Sequence, residues 1–451
     1  MKDSYDVIVV GAGPAGVATS IICRKKGFKV LLLDKKKKGK IGDKVCGEAI
    51  SKKTVHCAVE KLGVDPPQED EVNTLIEELV LRTALPKNHI ILPAIGYMVD
   101  RHKFGQRLLS DAIKAGVILK EQFRVKEPIV ENSKVIGILV KDIEDNLIEI
   151  HSKMVIDCSG TMATIRINLP EEYEPFLNKS LTKEDFAPCY REIIELNKNH
   201  DLEGKIVLQY EMDIPEPGYI WFFADGENRL NCGTGFIKVG KHAKKSVKSV
   251  YFQAMEKYYP KGTYKTLDGR GDVVPIRAPL WNAVGDGLIV AGDAAFHADP
   301  LTAEGHGPAL LAGCFAGEVA CEALEKNSFK LEDLWKYNTL VMKEFGADHA
   351  RARILTIVLE KIGPKKLEFL LKRKVVKQED LTSAGILKKR SFIDYLDRVI
   401  KCFPKYGLLL IMKKAISTSK AVANHCKVYP TSPDDYETWN SKVLELYSRI
   451  S

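Results

Sequence analysis

Three glycines near the amino terminus have a spacing that could do chemistry. They stand in the run G-A-G-P-A-G, and an acid, Asp34, follows the last of them by 18 residues. Gly11 permits a tight turn, Gly13 lets the backbone approach a pyrophosphate, and Gly16 lets a helix pack closely on a strand. Asp34 can accept hydrogen bonds from a ribose. The loop therefore predicts a dinucleotide site, and the flanking residues expected to contribute to it are Pro14, Ala15 and Lys35.

The elements that must position this loop are readable on both sides of it. Residues 5–10 and 29–33 are apolar at every position except Asp6 and Lys29, which is typical of parallel strands buried on both faces. Residues 14–26 have a helical pattern. Strand, glycine loop, helix and strand together predict a βαβ unit. The amino terminus of the helix then points at a bound phosphate and stabilises its charge.

The length and composition suit a soluble globular protein of two or three domains, or of one large domain with insertions. The chain has 451 residues, 45% of them apolar and 28% charged, and no segment approaches the roughly 20 apolar residues of a membrane span. The ten cysteines lack metal-ligand spacing, so most are expected to be buried thiols and no metal is expected. Met1 leads within a few residues into the first strand, which leaves no room for a secretory signal and predicts a cytoplasmic protein.

The middle of the chain has a different pattern. Between about residues 177 and 281, short alternating runs such as 219–223 predict the strands of an antiparallel sheet, and hence a second domain. Residues 287–291 predict another short apolar strand, which is followed by a glycine-rich turn and an apolar helix. The remaining chain has a helical pattern with breaks at Pro364, Pro404 and Pro430.

The glycine-rich turn resembles a flavin signature. Residues 290–299, V-A-G-D-A-A-F-H-A-D, resemble the second FAD signature of the superfamily that contains p-hydroxybenzoate hydroxylase and the geranylgeranyl reductases. The resemblance implies that Asp293 bonds the ribityl chain. It also implies that the turn of Gly305, His306 and Gly307 faces the flavin ring, where backbone N–H groups suit the oxygen that becomes negative on reduction. FAD is therefore the expected cofactor.

Two further motifs match that superfamily. Arg101, in Y-M-V-D-R-H-K-F, matches an arginine near the cofactor, and V-I-D-C-S-G, which ends at Gly160, matches the strand and turn that close the Rossmann domain. The resemblance implies an α/β fold with an inserted antiparallel β-sheet domain. The expected parts are a Rossmann-type FAD-binding domain (1–80, 98–170 and 286–330), an antiparallel-sheet substrate domain (81–97 and 171–285) and a helical carboxy-terminal region (331–451).

Two motifs narrow the resemblance to the geranylgeranyl reductases, flavoproteins that saturate the prenyl chains of archaeal lipids and of chlorophyll. Residues 44–50, K-V-C-G-E-A-I, and residues 218–223, G-Y-I-W-F-F, are similar to motifs of that family. Residues 429–439 are similar to the tail of crenarchaeal members, so the resemblance covers nearly the whole chain. It implies that Cys46 and Gly47 lie beside the flavin.

The chain departs from the family pattern near the substrate channel. Glu216 and Ala224 replace the two prolines of the aromatic motif P-x-x-Y-x-W-x-F-P. Ala303 and Glu304 stand where glycines are expected before Gly305. These positions bear on which substrate fits.

Three aromatic residues alternate along the predicted strand 219–223. Tyr219, Trp221 and Phe223 share one face, where they could line a flat apolar slot for an isoprenoid double bond or form an ordinary sheet core. Cys46 could be a reactive thiolate, a weak proton donor or a packing residue. His306, like His297, could donate a proton or bond a backbone carbonyl.

The resemblance implies a reductase in which reduced FAD delivers hydride to a carbon–carbon double bond of a prenyl (geranylgeranyl) lipid. The catalytic candidates are Cys46, Tyr219, Trp221 and His306. The alternatives are a flavin-dependent monooxygenase or halogenase of the same fold and a flavin electron-transfer protein. Tyr219-Ile220-Trp221 faintly resembles the W-x-W-x-I-P motif of halogenases. No second G-x-G-x-x-G loop for a nicotinamide is present, so ferredoxin, a deazaflavin and NADPH remain open as the electron donor.

The positive charge is concentrated in the carboxy-terminal part. Residues 361–420 contain 16 Lys or Arg and 5 Asp or Glu, an excess of 11 that exceeds the whole-chain net charge of +8. Such a patch suits an anionic membrane, an acidic partner or a nucleic acid, or it is a solvated helical face. Nucleic acid is not the expected partner. Within residues 398–420, Phe403 and the apolar run 408–412 lie among lysines, which predicts either a packed helix or peripheral contact with the inner face of a membrane.

Overall fold

Two β-sheets and a group of carboxy-terminal helices make up the computed structural model, which describes residues 5–84, 89–215, 218–238, 244–380 and 392–450. In chain order the strands are β1 (Tyr5–Val10), β2 (Val30–Asp34), β3 (Ala49–Ser51), β4 (Val72–Thr83), β5 (His89–Val99), β6 (Ile118–Glu121), β7 (Arg124–Glu131), β8 (Lys134–Lys141), β9 (Leu147–Asp157), β10 (Phe186–Leu196), β11 (Lys205–Tyr210), β12 (Gly218–Ala224), β13 (Arg229–Phe236), β14 (Tyr264–Pro275), β15 (Val284–Gly285) and β16 (Leu288–Val290). The α-helices are α1 (Pro14–Lys25), α2 (Lys52–Leu62), α3 (Arg101–Lys114), α4 (Val247–Tyr258), α5 (His306–Lys326), α6 (Leu331–Leu334), α7 (Lys336–Val341), α8 (Ala347–Lys372), α9 (Phe392–Cys402), α10 (Gly407–Lys427) and α11 (Tyr436–Ser448). The predicted α/β class is confirmed.

The first sheet carries the glycine loop. Its strands β16, β9, β1, β2 and β6 are parallel neighbours in that order, and β15, β8 and β7 extend it with antiparallel pairs. Nearly every residue of β1 and β2 is buried, because both faces of this part of the sheet are covered. The predicted βαβ unit is therefore confirmed, and it places the carboxyl ends of β1, β2 and β9 along one edge.

The second sheet draws its strands from two separate segments of the chain. Its order is β14-β10-β13-β12-β11-β4-β5-β3, so β3, β4 and β5 belong to it together with the strands of the middle segment. The early contribution to this sheet spans residues 49–99, which is longer than the 81–97 predicted. The contribution is longer because β4 belongs to this sheet: it forms hydrogen bonds with β5 over most of its length. It also lies parallel to β11, with Leu79 opposite Ile206. The sheet is antiparallel apart from this one pair in the described residues.

Helix α5 lies in the centre of the dinucleotide-binding part and packs against α1. A Cβ at Gly313 would lie 2.2 Å from the carbonyl oxygen of Ala15, so only glycine permits this close approach. Among the described residues α5 is long and apolar enough to cross a membrane, but 89% of its most apolar stretch is buried inside the protein. It is therefore a core helix, and it confirms the apolar helix predicted after the glycine-rich turn.

The carboxy-terminal helices bring α8 against the second sheet. Gly363 has a non-helical backbone with a φ of 69° and Pro364 follows it, so α8 is kinked at the predicted proline. The other two predicted breaks are also confirmed, because α9 ends before Pro404 and α10 ends before Pro430. The kink and Leu367 beyond it face the cavity described next.

Candidate active site

A cavity of about 1580 Å³ lies between the two sheets and is bordered by α8. One end is formed by the glycine loop and is rich in backbone polar groups. The other end is apolar, with Leu208 of β11, Trp221 of β12 and Leu367 of α8 in its wall. A site with this division suits a dinucleotide at one end and an apolar molecule at the other.

The glycine loop forms one wall of the cavity. Gly11 has a φ of 98°, and a Cβ on it would lie 2.3 Å from the carbonyl oxygen of Cys158. A Cβ on Gly16 would lie 1.8 Å from the carbonyl oxygen of Gly11, so Gly16 serves helix packing and is not part of the cavity wall. A Cβ on Gly13 would meet nothing within 4 Å, because this residue borders open cavity. The flanking residues in the wall are Pro14 and Ala15.

Asp34 stands at the carboxyl end of β2, beside that loop. One carboxylate oxygen accepts the backbone N–H of Ala12 at 2.9 Å, and the other accepts that of Lys36 at 2.8 Å. These bonds fix the carboxylate at the cavity wall, where Lys35 also lies. Each oxygen keeps a lone pair for a further donor such as a ribose hydroxyl.

The turn after β9 faces the glycine loop. The buried carboxylate of Asp157 accepts the N–H groups of Ser159, Ile165 and Arg166 and so shapes the turn. Gly160 has a φ of 74°, and a Cβ on it would meet nothing within 4 Å. This glycine therefore also borders open cavity.

An ion pair marks the middle of the cavity. The ammonium group of Lys44 lies 2.5 Å from the carboxylate of Asp293, just beyond β16. Burial acts to raise the pKa of Asp293, but Lys44 and Arg101 outweigh it and hold the pKa below its usual value. Arg101, the first residue of α3, also lies beside the thiol of Cys46. The predicted cofactor residues Arg101 and Asp293 are thus brought together.

The K-V-C-G-E-A-I segment lies against the aromatic strand. The Cys46 sulfur accepts the backbone N–H of Glu48 at 3.1 Å. Cys46 and Cys57 are half-buried, whereas the other eight cysteines are buried, as predicted for most of the ten. A Cβ on Gly47 would lie 2.6 Å from the ring of Phe223. Both Cys46 and Gly47 are in the cavity wall.

The turn before α5 is only partly open to the cavity. Gly305 and His306 are in the wall, whereas Gly307 is not. The backbone N–H of Gly307 donates to the carboxylate of Glu304 at 2.9 Å. This amide is therefore already engaged by a side chain, and it is not one of the free N–H groups that the flavin signature implied.

The two histidines near the turn are both neutral. Burial lowers the pKa of His297 to about 3, and its Nδ1 accepts the N–H of Gly292 at 3.1 Å. Burial lowers the pKa of His306 well below its usual value, with Arg101 and Lys44 adding to the shift. His306 stacks on Phe104, and neither of its ring nitrogens has a hydrogen-bond partner in the described structure. Only His306 can offer a ring nitrogen to a molecule in the cavity.

Tyr219, Trp221 and Phe223 all lie in the cavity wall, on one face of β12. Their ring centroids are 6.3 Å and 6.2 Å apart in sequence order, so they form a continuous aromatic surface. The Tyr219 hydroxyl donates to the carbonyl oxygen of Thr302 at 3.0 Å. Ala224 ends the strand and is buried, while Glu216 lies outside the described residues.

Three polar residues near the aromatic surface escaped the sequence analysis. Glu48 is in the cavity wall, and Asn231 and Arg191 contact it from β13 and β10. Glu48 could have been noticed as the acid within the K-V-C-G-E-A-I motif. Asn231 and Arg191 carried only a weak signal, that of polar residues inside strands whose neighbours are apolar.

These residues fit FAD along the length of the cavity. The open space beside Gly13 and Gly160 suits a pyrophosphate, Asp34 suits the adenosine ribose, and Asp293 suits a ribityl hydroxyl. A family model described as FAD dependent oxidoreductase matches residues 6–164. The fold and the site define an FAD-dependent oxidoreductase.

Full-length relatives narrow the class. The chain is 29% identical to the digeranylgeranylglycerophospholipid reductase of Sulfolobus acidocaldarius, over 100% of this chain and 99% of that one. It is 28% identical to digeranylgeranylglycerophospholipid reductase 1 of Methanococcoides burtonii, over 90% of this chain and 94% of that one. These relatives confirm the resemblance to the geranylgeranyl reductases.

Solved structures agree on the fold. A geranylgeranyl bacteriochlorophyll reductase-like protein from Thermoplasma acidophilum matches with a TM-score of 0.75 at 22% identity, over 92% of this chain and 100% of that one. A flavin-dependent brominase matches with a TM-score of 0.64 at 16% identity, over the whole of both chains. At these identities both matches bear on the fold alone.

Proposed function

We propose that the protein saturates carbon–carbon double bonds in the prenyl chains of lipids. The observation that carries this proposal is the aromatic surface of Tyr219, Trp221 and Phe223. This surface lies in the same continuous cavity as the residues that fit FAD. The names of the full-length relatives support it, because each is a reductase of a prenyl lipid.

The residues of the chain would mainly hold and shield the substrate. When bound and reduced, FAD supplies hydride. The aromatic surface offers a flat apolar face to a planar double bond, and Leu208 and Leu367 extend the apolar wall for the rest of the prenyl chain. Exclusion of water by these side chains would limit the loss of electrons to oxygen.

Mass spectrometry of lipids tests the proposal. Lipids from cells that make the protein alongside an unsaturated archaeal lipid should gain two hydrogens for each prenyl double bond reduced. The same gain is expected when purified protein with reduced FAD is mixed anaerobically with that lipid. Lipid of unchanged mass in both experiments, from protein that retains FAD, would contradict the proposal.

A halogenase or monooxygenase is less well supported. The structural likeness to a brominase shows only a shared fold, whereas the full-length sequence relatives are reductases. An oxygen electrode separates the two chemistries. A monooxygenase or halogenase consumes oxygen in proportion to its product, while the proposed reduction proceeds fully without oxygen.

The reaction requires an electron donor, and three candidates stand as predictions: a ferredoxin, a deazaflavin and NADPH. Each can be added anaerobically to the oxidised protein while the flavin absorbance is followed. The physiological class should bleach the flavin within seconds and sustain lipid reduction.

We propose that the protein reaches a lipid substrate through peripheral contact with a membrane. This contact would place the protein in the cytoplasm, against the inner membrane face. Five large apolar side chains of α9, α10 and their connection are exposed by 46–70%, and together they form an apolar edge: Leu396, Ile400, Phe403, Tyr406 and Leu410. The predicted run 408–412 is divided, because Leu408 is buried. Lys405 lies over the ring of Phe369 on α8, the helix that borders the cavity. The edge therefore packs beside α8, the helix whose Gly363, Pro364 and Leu367 line the cavity.

A further inference from the structure

Glu48 is tied to the aromatic surface by hydrogen bonds. Asn231 accepts the indole N–H of Trp221 at 3.0 Å and donates to a carboxylate oxygen of Glu48 at 3.1 Å. The same amide nitrogen donates to the carbonyl oxygen of Cys46 at 3.1 Å. The other oxygen of Glu48 lies 3.8 Å from the guanidinium of Arg191. These contacts hold the carboxyl in the cavity wall, next to the rings.

The backbone of Glu48 adopts a conformation that few residues accept. Its φ is 65°, in the left-handed region that favours glycine. Residues held this way are kept in place by their surroundings and are concentrated at functional sites. The strained backbone therefore agrees with a role for the carboxyl in the cavity.

Charges face Glu48 from several elements. Burial raises the pKa of Glu48 to about 7, and the negative charge of Asp225, just after β12, adds to this shift. Arg191 of β10, Asn231 and Arg101 act in the opposite direction and lower the pKa. Arg191 also pairs with Asp268 of β14 at 2.6 Å, so its charge is shared. Glu48 therefore gains and loses a proton near neutral pH.

Three other proton-bearing groups of the cavity, Tyr219, His306 and Glu304, are less suited to donate. The Tyr219 proton is committed to the carbonyl oxygen of Thr302. His306 is neutral. Glu304 is a rival, since burial raises its pKa to about 7, but it accepts an N–H at the amino end of α5, where the helix dipole favours the ionised form.

We propose that Glu48 donates the proton when a double bond is reduced, a role that rests on the proposed function. Hydride arrives at one carbon of the double bond. The O–H bond of Glu48 breaks, and a C–H bond forms at the neighbouring carbon, so the alkene gains two hydrogens. Asn231 and Arg191 stabilise the carboxylate that remains, and solvent entering the cavity returns the proton.

The test compares Glu48→Gln with Glu71→Gln in the full chain loaded with FAD. Glu71 is a matched control, because it is buried, pairs with Arg107 at 2.7 Å and lies outside the cavity wall. Glu48→Gln should slow reoxidation of the reduced flavin by an unsaturated prenyl lipid by about 100-fold or more, as expected for loss of a general acid. Glu71→Gln should stay within about twofold of the wild-type rate.

The pH profile separates proton donation from a structural role. A donor must be protonated, so the wild-type rate should fall as pH rises through about 7. Glu48→Asp should keep such a fall with a displaced midpoint, and Glu48→Gln should lose it. A wild-type rate of flavin reoxidation in Glu48→Gln would overturn the proposal. So would a Glu304→Gln variant that shows the full loss of rate expected here for Glu48→Gln.

Infrared difference spectra read the same carboxyl without turnover. Protonated-carboxyl bands should disappear between about pH 5 and pH 9 in the wild type and in Glu71→Gln, and Glu48→Gln should lose the contribution of one carboxyl while that of Glu304 remains. Spectra of wild type and Glu48→Gln that are identical would overturn the proposal. Wild type that reduces no prenyl lipid refutes the proposed function itself, whereas active wild type with an equally active Glu48→Gln refutes only the role of Glu48.

Discussion

Gly13 borders open cavity although the other two glycines of its loop are crowded by backbone. Its neighbours Gly11 and Gly16 would place a Cβ within 2.3 Å of backbone, whereas a Cβ on Gly13 meets nothing within 4 Å. Its φ of −74° and ψ of −176° also suit residues other than glycine. The protein alone therefore gives no reason for a glycine here, and a bound pyrophosphate does.

Gly13→Val should remove FAD and leave the apo fold intact, because the branched side chain fills only space that the pyrophosphate requires. Flavin absorbance of the purified variant should be lost, while urea unfolding of the FAD-free protein changes by no more than about 0.5 kcal/mol. Gly39→Val is the matched control, since a Cβ there also meets nothing within 4 Å but Gly39 is outside the cavity wall. A yellow Gly13→Val protein with full flavin occupancy would refute the assignment.

Asp293→Ala should weaken FAD binding more than it destabilises the FAD-free protein, since its proposed partner is a ribityl hydroxyl. Lys44 is then left without its partner, which costs the FAD-free fold about 1–3 kcal/mol. The pKa of Asp293 is below its usual value, so this part of the stability is present at neutral pH and is lost only as pH falls through that lowered pKa. Equal losses of FAD affinity and of stability at neutral pH would indicate a purely structural carboxylate.

Among the elements, the strands β1, β2 and β16 of the first sheet were readable from the sequence, whereas its strands β6, β7 and β8 and the bounds of the second sheet were not. The strands β1 and β2 are apolar at nearly every position because both faces are covered, and this signal is local. The pairing of β4 with β11 joins residues that are more than 100 positions apart, so no local pattern of β4 could predict it. The network around Glu48 is hidden for the same reason, since Asn231 and Arg191 come from distant strands.

Gly313→Ala tests whether the contact of α5 with α1 supports the cofactor loop. The added methyl would lie 2.2 Å from the carbonyl oxygen of Ala15, and backbone cannot move aside cheaply. Urea unfolding should show a loss of about 1–3 kcal/mol, and FAD affinity should fall because Ala15 is in the cavity wall. Gly407→Ala, where a Cβ meets nothing within 4 Å, should be neutral or slightly stabilising. Unchanged stability of Gly313→Ala would mean that the helices adjust freely.

For the whole molecule, the cavity exists only because distant parts of the chain meet. The dinucleotide loop, the aromatic strand and α8 each supply one wall. The sequence predicted the first two by motif, but the third follows from the kink at Gly363 and Pro364, whose direction depends on packing. The apolar edge packs beside α8, so contact with a bilayer would bring lipid to the helix that supplies this third wall.

Co-sedimentation with lipid vesicles tests this contact. The protein should bind anionic vesicles at low salt and be released at high salt, because each exposed lysine near the surface contributes about 1 kcal/mol that salt screens. The double variant Ile400→Glu, Leu410→Glu should lose binding, since these side chains are 68% and 70% exposed and would enter the lipid interface. Ile143→Glu, with a wild-type side chain 71% exposed on another surface, should bind as wild type does. Binding that ignores lipid charge and survives high salt, or no binding at all, would rule out this electrostatic attachment.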